Sequence, residues 1–85
     1  MTELSQDAKK VLRALTERAS DGYSLISRTG LTMAELAPAV RSLIDMGLIA
    51  IQGEPRGEEI AKAYLWVPPD AQGKADYFLG KLVPF

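Results

Sequence analysis

The chain has 85 residues, of which 47% are hydrophobic and 25% charged, a composition that predicts one small globular domain over 1–85. Cysteine and histidine are both absent, which excludes disulfides, thiol chemistry, zinc sites built on those residues and histidine triads. The adjacent Glu58 and Glu59 would point to opposite faces of a strand, so no paired catalytic carboxylates are predicted. With no apolar run of membrane-spanning length and no signal peptide, we expect a cytoplasmic protein that is not an enzyme and has no cofactor, metal or membrane partner.

The charges are nearly balanced but unevenly placed. Ten basic and eleven acidic residues give a net charge of −1, without the basic excess that is usual for nucleic-acid binding. Residues 5–19 carry a net +2, whereas residues 53–61 carry a net −2. The basic segment is consistent either with a phosphate-contacting patch or with a solvated helix face.

Two helices are predicted in the first third of the chain. Helical spacing of apolar residues predicts the first helix over about 5–19, with Ser5 as its N-cap, on the face formed by Ala8, Val11, Leu12, Leu15 and Ala19. The segment 20–22 is predicted to break this helix. A short second helix is predicted over 24–29, capped by Ser24 and closed by Gly30 in the left-handed conformation.

A third helix is predicted over 33–46. Thr32 and Glu35 form a capping-box pattern, and the buried face would hold Leu36, Val40, Leu43 and Ile44. Pro38 lies inside this helix and removes one backbone hydrogen bond. The first turns are therefore predicted to be bent, irregular or frayed.

A β-hairpin is predicted after the third helix. Its strands would cover 48–52 and 62–67, joined by a loop over 53–61. Tyr64 and Trp66 would share one face, opposite Leu65 and Val67. Residues 69–85 are predicted to form a helix from Asp70 to about 81 or an extended tail. The predicted fold is thus mainly α with a small β-hairpin and a core over 5–68.

The order of these elements resembles the winged helix-turn-helix superfamily. The resemblance depends on the run 25–32 (LISRTGLT), followed by Leu36, Val40, Leu43 and the segment 47–49. The resemblance covers about residues 5–68. This part of the chain is similar to small bacterial repressors of the multiple-antibiotic-resistance (MarR) type and to the winged helix of bacterial DNA-processing proteins. It implies three helices, a two-stranded wing and a transcriptional regulator that binds double-stranded DNA through helix 33–46.

Carried over by position, the resemblance implies DNA contacts from several residues on the second and third helices and the hairpin. These are Arg28, Thr32, Met33, Ala37, Arg41, Ser42, Arg56 and Lys62. Each polar residue among them has a structural alternative: Thr32 as an N-cap, and Arg28 and Arg41 as solvated or ion-paired side chains.

A protein-interaction module is the alternative function. Met33, Ala34, Ala37 and Pro38 offer no hydrogen-bonding side chains to base edges, and the wing is acidic. An apolar surface with charged edges suits a protein partner. The aromatic and apolar residues Tyr77, Phe78, Leu82 and Phe85 would either cover the sheet or form the interface of a homodimer.

Overall fold

The computed structural model describes residues 4–80 as a mainly helical domain with a small antiparallel sheet. The elements are α1 (Gln6–Glu17), β1 (Ser20–Asp21), α2 (Gly22–Thr29), α3 (Met33–Asp45), β2 (Ala50–Gln52), α4 (Glu59–Lys62), β3 (Tyr64–Trp66), a 3-10 turn (Pro69–Ala71) and α5 (Gln72–Phe78). None of the helices within residues 4–80 combines the length and the apolar character needed to cross a membrane.

Helix α1 begins where its sequence predicts. The Ser5 hydroxyl accepts a hydrogen bond from the backbone N–H of Ala8 at 3.1 Å, which confirms the predicted N-cap. The helix ends at Glu17 rather than Ala19, because Arg18 is already extended and the chain continues into β1. The buried face contains the predicted Ala8, Val11, Leu12 and Leu15, together with Ala14. Ala19, also predicted on this face, lies beyond the helix and is exposed.

The segment after α1 differs from its prediction. Ser20 and Asp21 form strand β1, which pairs with β3 and extends the expected hairpin to three strands in the order β1-β3-β2. Helix α2 therefore starts at Gly22, and Ser24 is not its N-cap. The Ser24 hydroxyl instead donates to the Asp21 carboxylate at 2.6 Å, which lowers the pKa of Asp21. Gly30 closes α2 with a φ of 75°, as predicted.

The predicted capping box forms at the start of α3. The Thr32 hydroxyl accepts from the Glu35 N–H at 3.2 Å, and the Glu35 carboxylate accepts from the Thr32 N–H at 2.9 Å. The expectation that the first turns are irregular or frayed is wrong, since the helix is continuous past Pro38 as far as Asp45. Ala34 and Pro38 are both exposed, so water can satisfy the carbonyl that the proline leaves without a donor.

The two hairpin strands are shorter than predicted, at three residues each. Residues 59–61, predicted as loop, and Lys62, predicted as the start of the second strand, form the one-turn helix α4. Burial of Ile60 and Ala61 against α2 stabilises this turn, which could not stand alone. Tyr64 and Trp66 share the outer face of the sheet with ring centroids 6.1 Å apart, while Leu65 is fully buried on the inner face.

The core lies between α1, α2, α3 and the inner face of the sheet. Its largest fully buried side chains are Leu12, Leu25, Leu36, Leu43, Leu48, Ile60 and Leu65. Each contributes roughly 1.5–3 kcal/mol by leaving water. The predicted C-terminal helix is present in shorter form: a 3-10 turn starts at Pro69, and α5 packs Ala75 against α1 and ends at Phe78. Its predicted end near Lys81 lies outside the described residues.

Candidate functional site

The second half of α3 and the loop over 53–58 (the β2–β3 loop) bring two arginines together. Arg41, Pro55 and Arg56 line a cleft of about 170 Å³, which we call the arginine cleft. Nη2 of Arg56 lies 3.4 Å from Oε2 of Glu54, but both side chains are largely exposed, so this ion pair is weak. Arg41 is exposed and forms no ion pair with any residue of the described chain. Of the two structural alternatives for Arg41, the structure therefore shows the solvated side chain and not, within residues 4–80, the ion pair.

The first half of α3 presents a different surface. Met33, Ala34, Ala37, Gly57 and Glu58 line a shallow groove of about 260 Å³ between α3 and the β2–β3 loop, which we call the apolar groove. Its exposed surface is almost entirely carbon. Apart from Thr32 and Glu35, whose side chains form the capping box, residues 32–38 have no side-chain donor or acceptor for base edges.

Arg28 lies apart from the other predicted DNA contacts. Its Nη2 donates to the carbonyl oxygen of Ala14, near the end of α1, at 2.6 Å and lies 3.6 Å from a carboxylate oxygen of Glu17. The side chain is only 19% exposed. Arg28 thus holds α2 against the C-terminal turn of α1, where a cation also interacts favourably with the helix dipole.

The structure gathers a further set of cations around Arg28. The outer side of α1 and the end of α2 enclose a groove of about 480 Å³, which we call the α1 groove. It is lined by Gln6, Lys9, Lys10, Arg13, Ala14, Glu17, Arg28 and Thr29. Hydrogen bonds from Thr32 chiefly lower the pKa of Glu35, and the positive charge of Lys10 adds to this effect.

The remaining predicted residues fall on other surfaces. Ser42 is exposed on α3 beside Arg41, and Lys62 is exposed at the end of α4. Tyr77 is 64% exposed on α5. Its ring packs edge-to-face against that of the partly buried Phe78, with the ring centroids 5.5 Å apart. Leu82 and Phe85, the other two residues of the predicted dimer interface, lie outside the described residues.

The sequence indicated the basic segment over 5–19, as a phosphate-contacting patch or a solvated helix face, but it did not indicate that Arg28 of α2 lies beside Lys9, Lys10 and Arg13. No local pattern placed the β2–β3 loop beside α3. Within residues 4–80 no three acidic side chains come close enough together to hold a metal ion. No family model matches the chain, and no curated protein or solved structure matches it either.

Proposed function

We propose that the chain is a winged helix-turn-helix domain that binds double-stranded DNA and acts as a transcriptional regulator. The element order supports this proposal, since α2 and α3 are separated by a three-residue turn and followed by the antiparallel strands β2 and β3, which are connected through the 53–58 loop and α4. The observation that carries it is the arginine cleft, which is lined both by Arg41 of α3, the recognition helix of this proposal, and by Arg56 of the β2–β3 loop, its wing.

The chemistry of this surface favours contacts to the DNA backbone. Guanidinium groups bind phosphate oxygens with paired N–H donors, and the exposed Ser42 hydroxyl and Lys62 ammonium can add further phosphate contacts. Met33 and Ala37 can contribute only apolar contacts, such as those to thymine methyl groups. The domain should therefore bind DNA with strong salt dependence and limited sequence selectivity.

Fluorescence anisotropy with a random-sequence duplex tests this function. We expect binding at about 50 mM salt that weakens steeply by about 200 mM, because counterions released from the phosphates drive the association. Arg41→Gln should weaken binding and reduce the slope of log affinity against log salt by about 1. Lys74→Gln on α5, which removes the same charge outside both the cleft and the grooves, should leave the slope unchanged. Absence of binding at the lower salt concentration, or equal losses in the two variants, would contradict the proposal.

The apolar groove supports a second candidate function, the docking of a protein. A carbon-lined depression beside the acidic Glu58 suits an apolar side chain with a basic neighbour. This function predicts no DNA binding at low salt. It also predicts that an affinity-captured partner is lost with Ala37→Glu and retained with Ser27→Glu, which adds the same charge at an exposed position of α2.

A further inference from the structure

The α1 groove concentrates positive charge in an acidic protein. It contains four cations (Lys9, Lys10, Arg13 and Arg28) and one carboxylate (Glu17), a net +3. The whole chain carries −1, so the rest of the sequence carries −4. The groove is therefore a local feature of the charge distribution, and it would attract an anion even though the chain as a whole is not basic.

Arg28 gives this groove a fixed cation at its base. The hydrogen bond from Nη2 to Ala14 and the ion pair with Glu17 hold the guanidinium in one orientation. Its Nη1 is buried and has no hydrogen-bond partner among the described residues. Because Nη1 is closed off from solvent, Arg28 acts on the groove through its positive charge.

The other three cations of the groove differ from Arg28 in that no ion pair with a described residue holds them. Lys10 and Arg13 are exposed, Lys9 is half-buried, and none of the three forms an ion pair with a described residue. They lie on the one helix that forms the wall of the groove, while Arg28 enters from α2. An anion between them would meet donors from two directions.

We propose that the α1 groove binds a phosphate group, with Lys9 and Arg13 contacting its oxygens and Arg28 supplying a fixed charge beneath it. Phosphate fits this set better than a carboxylate, because it offers more acceptor oxygens and a higher charge to several convergent donors. The source is either a backbone phosphate of DNA or a free phosphate compound. The site is distinct from the arginine cleft, so it does not depend on DNA reading by α3.

Inorganic pyrophosphate is the probe for the free compound. In a titration of the full chain followed by amide NMR shifts, we expect changes to centre on the α1 groove. The double variant Lys9→Gln/Arg13→Gln should weaken binding about tenfold or more, since two charge-assisted hydrogen bonds are lost. The control Arg18→Gln/Lys74→Gln removes the same charge at two exposed positions that line neither the α1 groove nor the arginine cleft, and it should change affinity less than about twofold. Sodium chloride at matched ionic strength corrects for screening.

Duplex DNA distinguishes the two sources. If pyrophosphate binds in the groove without displacing the duplex, the groove takes a free phosphate compound. If pyrophosphate displaces the duplex, the groove binds a phosphate of the DNA backbone. The same conclusion follows if the groove variant weakens duplex binding more than the control does, while the two variants bind pyrophosphate equally. Equal responses of the groove and control variants to both probes would overturn the proposal. Arg41→Gln tests the α3 function separately, and thermal unfolding checks that each variant is folded.

Discussion

Gly22 is the position at which a single added carbon should disturb the fold most directly. It is the first residue of α2, it is buried, and its N–H donates to the carbonyl of Ala63 at 3.0 Å. A Cβ built at this position would lie 1.9 Å from the carbonyl oxygen of Ile60 and 2.7 Å from the Cα of Ala61. Both are backbone atoms of α4, so no side-chain rotation can relieve the contact.

The change in the free energy of unfolding that Gly22→Ala should cause is the sum of one favourable and two unfavourable effects. Alanine is favoured over glycine in a helix by up to about 1 kcal/mol, whereas overpacking of a rigid contact costs about 1–3 kcal/mol. Separating α2 from α4 also stretches the hydrogen bond to Ala63, at about 1 kcal/mol. The net loss should be about 2–3 kcal/mol, out of a total stability of about 4–13 kcal/mol for a chain of this length. The expected fall in Tm is about 10–20 °C.

Urea denaturation followed by the fluorescence of the single tryptophan, Trp66, measures this change. Gly73→Ala is the matched control, because Gly73 is also helical and a Cβ there meets no atom within 4 Å. That control should be neutral or stabilising by up to about 1 kcal/mol. If Gly22→Ala proves as stable as the parent, the close approach of α2 to α4 is not as described and the reasoning fails.

Three further predictions concern the capping box, the α1–α2 contact and the oligomeric state. The capping hydrogen bond from the Thr32 N–H chiefly lowers the pKa of Glu35. The ionised carboxylate therefore stabilises α3 at pH values above its ordinary pKa, and this contribution is lost as the pH falls through the lowered pKa. The advantage of the parent over Glu35→Gln in urea midpoint should thus be present at neutral pH and vanish in acid; an advantage that grows in acid would contradict this. Arg28→Met should cost about 2 kcal/mol in urea denaturation, because a charged donor to the end of α1 is lost; an unchanged midpoint would show that the contact is unimportant. Sedimentation equilibrium should detect a dimer that Tyr77→Ser dissociates and Tyr23→Ser, at a similarly exposed tyrosine, does not; a monomeric parent would refute this interface.

The parts of the fold that local chemistry specifies could be predicted from the chain alone. The Ser5 cap, the Thr32–Glu35 capping box and the left-handed Gly30 each depend on residues no more than four positions apart. Their hydrogen bonds form within one helical turn, so composition and spacing suffice to identify them. The buried faces of α1 and α3 followed from apolar periodicity in the same way.

Strand β1 and helix α4 depended on distant partners. Ser20 and Asp21 are too few to be recognised as a strand, and they become one only because β3 lies beside them. Ile60 and Ala61 form a turn of helix because α2 covers them, and Gly22 permits that approach because it has no side chain.

The same distinction between local and distant interactions applies to the candidate functional site. The sequence alone determined which residues carry charge and which of them a helix or loop would expose. Only the tertiary structure decided that Arg41 and Arg56 line one cleft, and that Arg28 turns towards α1 and lines a separate basic groove. The physical reason is range: capping and periodicity act within a few residues, whereas surfaces are assembled by packing between elements far apart in the chain.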